Sequence, residues 1–172
     1  IIIDLGINLE NYIKLTEDED IVKISADKLI AAGAVPDISV LDKVRDKVKA
    51  IVIGHAHLDH VGAVPYIASR FDAPVICSPY TAEVIKSILR EDKINIDNEI
   101  KTLNLNSVYK ISENIKIELI YITHSVPQSA IVAIYTKYGA IVYANDFKLD
   151  LHPTLGKTPD FKRLEDLGNS GV

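Results

Sequence analysis

Four short runs of β-branched and apolar residues in this chain each lead to a side chain able to bind a metal ion. "III" runs into Asp4, "KAIVIG" into His55, "IELIYIT" into His124 and "AIVYAN" into Asp146. Runs of this kind are strands with at least one buried face. Helix signals lie between several of them. Gly33 stops "ADKLIAAG" at its C-terminal cap, where a left-handed backbone suits glycine. Ser78 and Pro79 cap and open "YTAEVIKSILRED", in which Val84, Ile85, Ile88 and Leu89 recur on one face. "GAVPYIASRF" reads as a helix that tolerates Pro65 only near its first turn. Later, Lys137-Tyr138-Gly139 separates two strand-like runs as a hairpin turn. The chain therefore reads as an α/β protein layered around a sheet. Its four strand ends are predicted to converge on one edge of that sheet, where α/β proteins place their sites.

The densest signal is "HAHLDH" at residues 55–60. Residues two apart in an extended segment point the same way, so His55 and His57 can offer imidazole nitrogens to one cation. Asp59 and His60 follow where the chain turns into a helix, and can serve a second, neighbouring cation. A mononuclear zinc site needs only three protein ligands, and this cluster supplies four before His124 and Asp146 are used. His124 completes the first site beside His55 and His57. Asp146 suits a bridge between the two cations, because a carboxylate has two oxygens to share. Imidazole favours zinc, and the carboxylates widen the choice to manganese or iron. His152, beside a proline in "LHPT", reads as a loop histidine.

At 172 residues and 48% hydrophobic content, the chain has the material for one domain with a real core. The net charge of −5 excludes a broad basic surface, although two bound divalent cations would bring the formal total to −1, concentrated at the site. No apolar run approaches the roughly 18 to 20 residues of a membrane span, and no basic, apolar and small-residue leader pattern opens the chain. The single cysteine, Cys77, lies in the apolar "APVICS" and reads as a buried, inert thiol of a reducing compartment. A cytoplasmic protein without a membrane role is the expectation. The acidic run at residues 17–20 reads as a solvated loop. The chain opens as if in mid-strand, stops just after a helix-like segment and contains no methionine, which reads as a piece of a longer protein.

The metal-type residues and their flanks resemble a known family. "HAHLDH" matches the HxHxDH signature of the metallo-β-lactamase superfamily, and "DLG", "THS" and "NDF" resemble its other site motifs in the right order. The flanks "GHAHLDHVGAVPYI", "THSVPQSA" and "YANDFKLD" with "HPTLGKTPDF" are similar to the ribonuclease J branch, which carries an inserted β-CASP domain. Glyoxalase- and lactonase-like members have Thr where this chain has Gly54, and flavodiiron members have Glu where it has His57. One departure is Asn145, where the family has Gly before the bridging Asp.

The resemblance implies a four-layer αββα sandwich, with residues 1–172 as its first part and the β-CASP domain and a C-terminal return beyond the chain end. It implies a metal-dependent exo- or endoribonuclease of RNA processing that uses two divalent ions, zinc or alternatively manganese, in a two-metal hydroxide mechanism. RNA is the implied partner, and any homo-oligomer would form through parts not present here. Asp59 would handle the proton of the attacking water, and Asp4 would support the ligand loop without touching metal. Ser125, Ser129 and Lys148 are candidate phosphate contacts. The last metal-binding His of the family lies downstream, so this piece alone is expected to be weakly active or inactive. Two other readings stay open: a hydrolase of thioesters, lactones or small esters on the same scaffold, and an inactive metal-binding scaffold partner.

Overall fold

The computed structural model describes residues 1–17 and 24–172. The expectation for the acidic run falls largely on positions 18–20, outside the described residues. Two four-stranded sheets form the centre. The first is parallel, in the order β1 (Ile2–Ile3), β2 (Ile51–Ile53), β3 (Val75–Cys77), β4 (Ile100–Thr102). The second is an antiparallel meander of β5 (Ser107–Ser112), β6 (Ile115–Tyr121), β7 (Ala130–Thr136) and β8 (Gly139–Tyr143). The β7–β8 connection is the hairpin expected at residues 137–139, with Gly139 at φ 132°.

Burial explains why β2 and β3 read as unbroken apolar runs. Both faces of the parallel sheet are covered, as such sheets require. Ile51, Ile53, Val75 and Cys77 point to one side, onto a helical layer that supplies Leu29, Val61, Val64, Ile67, Ala82 and Ile85. Ala50, Val52 and Ile76 point to the other side, against Ile117, Leu119, Ala130 and Val132 of the second sheet. The strands of that sheet alternate with period two, so Ile120, Ile131 and Ala133 face outward and are covered by Leu167 of α6 (Phe161–Asn169). Helices, sheet, sheet and helix make the four-layer αββα sandwich.

The helical layer comprises α1 (Leu9–Thr16), α2 (Ala26–Ala31), α3 (Leu58–Val61), α4 (Val64–Ile67), α5 (Pro79–Glu91) and two 3-10 segments, Ser39–Lys47 and Ala68–Arg70. Gly33 follows α2 at φ 66°, the left-handed position expected of it. Ser78 caps α5, its hydroxyl accepting from the Thr81 N–H, with Pro79 in the first turn. The segment expected as one helix around Pro65 is instead α4 followed by a 3-10 turn. Pro65 has no N–H to give, and four residues are all that form before the chain tightens. Cys77 is fully buried, and burial pushes its thiol up to about 12. Among the described residues, no helix is long and apolar enough to cross a membrane.

Candidate metal centre

The four strand ends do meet, but not on one sheet. Asp4 and His55 leave β1 and β2 of the parallel sheet, whereas His124 and Asp146 follow β6 and β8 of the antiparallel one. The expectation of a single sheet edge is thus corrected: the cluster sits where the ends of two stacked sheets come together. Strand-like runs in a sequence carry no mark of the sheet they will join. One backbone bond ties the sheets there, from the Ala130 N–H to the Gly54 carbonyl at 3.0 Å.

Two groups of ligand atoms share one carboxylate. His55, His57, His124 and Asp146 form the first, and Asp59, His60 and Asp146 the second, with the ligand atoms of each group within 4.8 Å of one another. His55 Nε2 lies 3.0 Å and His124 Nε2 3.2 Å from His57 Nδ1. Tetrahedral ligation at Zn–N distances of 2.0 to 2.1 Å places nitrogens about 3.3 Å apart, so the three rings fit one zinc-sized cation with little movement. The far nitrogens of His55 and His124, both Nδ1, are buried without a hydrogen-bond partner among the described residues. All the polar bonding of these two rings is thus directed inward. Asp146 Oδ2 is 3.8 Å from both His124 Nε2 and His60 Nε2, midway between the groups.

Burial and like-charged neighbours keep two of the rings, His55 and His124, in the neutral form that can ligate. His55 is fully buried, and that burial, followed by the proximity of His60, His57 and His124, pushes its pKa down to about 4. Burial, then His57, lowers His124. His60 is raised, chiefly by its hydrogen bond to Asp4.

Asp4 is the hub behind the ligands. Its Oδ1 accepts the Gly54 N–H at 2.8 Å, and its Oδ2 lies 2.8 Å from His60 Nδ1. A carboxylate only accepts, so Nδ1 carries the proton and Nε2 keeps its lone pair for the cluster. The loop after β1 clamps α3 directly: the Leu5 N–H donates to the His60 carbonyl at 2.8 Å and the Ile7 N–H to the Leu58 carbonyl at 3.1 Å. Gly6 lies in this clamp, where a Cβ would strike the Asp59 carbonyl.

Of the three expected phosphate contacts, two remain at the surface. Ser125 is exposed, with its hydroxyl 3.1 Å from His57 Nε2. With a cation held at His57 Nδ1, Nε2 would donate here and the Ser125 O–H would be left to donate elsewhere. Lys148 is joined through its backbone N–H to the Thr123 carbonyl at 2.7 Å, and its side chain lines a cleft of about 980 Å³. That cleft begins at His124 and Ser125 and runs to Tyr121, Lys157 and Thr158. Ser129 departs from the expectation. It is fully buried and its hydroxyl donates to the Val126 carbonyl at 3.1 Å, so it closes a turn away from the cleft. His152 is an exposed loop residue.

Two residues take structural roles that the sequence did not reveal. Tyr143, at the end of β8, donates its hydroxyl to Asp4 Oδ2 at 2.9 Å. Asn145 stands at φ 62° over Gly54, where a Cβ on residue 54 would collide with the Asn145 side-chain amide. Tyr143 ends β8 and Asn145 lies beyond it, and nothing in the strand pattern names their partners.

An αββα sandwich with a His and Asp group able to bind metal ions at the ends of its two sheets defines a class of metal-binding proteins. The metallo-beta-lactamase superfamily model matches residues 16–160, and this chain belongs to that superfamily. It is 43% identical over 173 residues to a ribonuclease J of Methanocaldococcus jannaschii and 41% identical over 174 residues to one of Pyrococcus abyssi. In both cases the match covers 100% of this chain and 38% of the relative, so the chain spans well under half of their length. A ribonuclease J 2 of Staphylococcus aureus is 39% identical over 140 residues, which is 80% of this chain and 25% of that protein. Among solved structures, a protein of unknown function from Enterococcus faecalis has a TM-score of 0.59 at 22% identity, covering 86% of this chain and 37% of its own. A metallo-beta-lactamase variant from Cronobacter sakazakii has a TM-score of 0.52 at 15% identity, covering 97% of this chain and 60% of its own. These two likenesses establish the fold.

Proposed function

We propose that this chain is the metal-binding core of a ribonuclease that hydrolyses RNA phosphodiester bonds with two divalent cations, zinc or alternatively manganese. The observation that carries the reading is the pair of ligand groups joined through Asp146. Two adjacent cations, when bound, supply an acidified water and Lewis-acid polarisation of phosphate oxygens at neutral pH. The chain's own residues do the rest. His55, His57 and His124 hold the first cation and Asp59 and His60 the second, with Asp146 between them. Asp59 is half exposed beside His60, with Oδ2 3.9 Å from Nε2, where it can hold the proton released by the attacking water. Ser125, through its free O–H, and Lys148 are placed to hold the phosphate at the mouth of the cleft.

RNA as the substrate is supported by the identity to ribonuclease J proteins over the whole chain. The cleft supports it too, since it extends well beyond the cation groups and accommodates a substrate longer than a small ester. The buried thiol of Cys77 suits a reducing, cytoplasmic setting. The test uses the complete protein that carries this chain, loaded with zinc or manganese. RNA is expected to be cleaved, Asp59→Ala to lower the rate at least about 100-fold, and thioesters and lactones to be left intact. Turnover of small esters alone would sink the RNA reading, and failure to bind any metal would sink both hydrolytic readings.

A further inference from the structure

We propose that Tyr143 is a positioning residue for the second cation: its hydroxyl holds Asp4, and Asp4 in turn sets the ring of His60. The inference rests on the two-cation reading above. Asp4 receives three donors from three separate parts of the fold. They are the Gly54 N–H after β2 at 2.8 Å, His60 Nδ1–H on α3 at 2.8 Å and the Tyr143 O–H on β8 at 2.9 Å. Two of these converge on one oxygen, Oδ2, so that oxygen cannot turn toward or away from His60 without breaking the bond to Tyr143. The orientation of the carboxylate is thereby over-determined, and so is the tautomer of His60. Its Nδ1 bears the proton, and Nε2 is left 3.8 Å from Asp146 Oδ2 and 3.9 Å from Asp59 Oδ2, facing the second group.

The side-chain hydrogen bonds of this relay run to one side of the cluster, toward His60. No hydrogen bond joins Tyr143 or Asp4 to His55, His57 or His124, whose ligating nitrogens are ordered by one another and, for His57, by Ser125. Tyr143 is also the link between the sheets here. It extends from the last residue of the antiparallel sheet to the residue that follows the first strand of the parallel one, so the second cation group is held in register with both. Removing a partner that orients a ligand typically weakens metal binding about 10- to 100-fold.

The test is a zinc titration of the complete, metal-stripped protein against a chromophoric chelator, for wild type and Tyr143→Phe. Phenylalanine keeps the ring packed between the sheets and removes only the donor. Wild type is expected to bind two ions, and the variant to bind the first with unchanged affinity and the second about 10- to 100-fold more weakly. A second readout needs no metal: the His60 Nδ1–H proton, followed by NMR of ¹⁵N-histidine-labelled protein, should exchange with water faster in Tyr143→Phe. Asp4→Asn serves as the second variant. It should weaken the second site at least as much, and adding Tyr143→Phe to it should cost nothing further. An unchanged second affinity, equal loss at both sites, or additive losses in the double variant would each overturn the proposal. Wild type that takes up fewer than two ions would instead overturn the two-cation reading, and the imidazole proton would still decide whether Tyr143 positions His60.

Discussion

The site is built from residues whose neighbours leave them few alternatives. Gly54 and Asn145 are the sharpest pair: Asn145 occupies the space a side chain on residue 54 would need, and its Nδ2 donates to the Ala130 carbonyl at 3.3 Å. Asn145 is also left-handed, a backbone state that asparagine tolerates better than other side chains, which accounts for Asn where the family has Gly. Gly54→Ala is expected to displace Asn145 and cost about 1 to 3 kcal/mol, the usual penalty of overpacking. Asn145→Gly in the same chain should recover most of that loss, and thermal melts of the two single variants and the double variant would measure the coupling. Gly6→Ala offers no such rescue, because the obstacle is the Asp59 backbone carbonyl. It should weaken metal uptake as well as stability, read by zinc titration alongside the melt. The candidate ligands were legible in sequence because six consecutive residues hold four of them. Tyr143 was not, because its partner Asp4 lies 139 positions away.

At the scale of elements, the outer helix α6 is attached by more than apolar contact. Glu118 on β6 is buried, and Arg163 grips it with two nitrogens at 2.7 and 2.8 Å, while Tyr135 on β7 donates to the same carboxylate at 2.5 Å. Arg163 lowers the Glu118 pKa, so the stability this contact contributes is present above the ordinary glutamate value and is lost as pH falls through the lowered one. Arg163→Met would leave a buried carboxylate with only Tyr135. A loss of about 3 kcal/mol is expected, seen as a lower thermal midpoint at pH 7, with Glu118→Gln in the same chain restoring part of it. On the other side of the molecule, Ser78→Ala removes the cap of α5 and should cost about 1 kcal/mol. That cap was readable as a Ser-Pro pair ahead of an apolar face. The Arg163–Glu118 contact was not, since a charged residue within "IKIELIYI" gives no sign of the helix that will cover it.

For the whole molecule, the cluster couples stability to metal and to pH. Cations bound only by the folded chain stabilise it, by about 2.7 kcal/mol at a free concentration one hundred times Kd, so a chelator should lower the thermal midpoint of a zinc-loaded sample. Without metal, His55 titrates near 4 in the fold and near 6.5 when unfolded, so the unfolded chain binds the extra proton between those values. Stability of the metal-free protein should therefore fall as pH drops from 6.5 toward 4, opposed in part by His60, whose raised pKa favours the fold at the acid end. Melts across that range on His55→Asn should show a shallower slope than wild type. An unchanged slope would mean that His55 is not the group responsible.

The four-layer class came from the family resemblance, while sequence alone determined the α/β class, several of the strands and capped helices, and the metal-type residues at the strand ends. Those depend on local period, caps and residue type, all of which are written within a few positions of one another. Tertiary structure decided which sheet each strand joined, that two sheets rather than one bring the ligands together, that Ser129 is spent inside a turn, and that Tyr143 and Gly54 meet on Asp4. Hydrogen bonds and steric exclusion act over a few ångströms between segments far apart in the chain, and a one-dimensional pattern carries no record of those distances until the layers are packed.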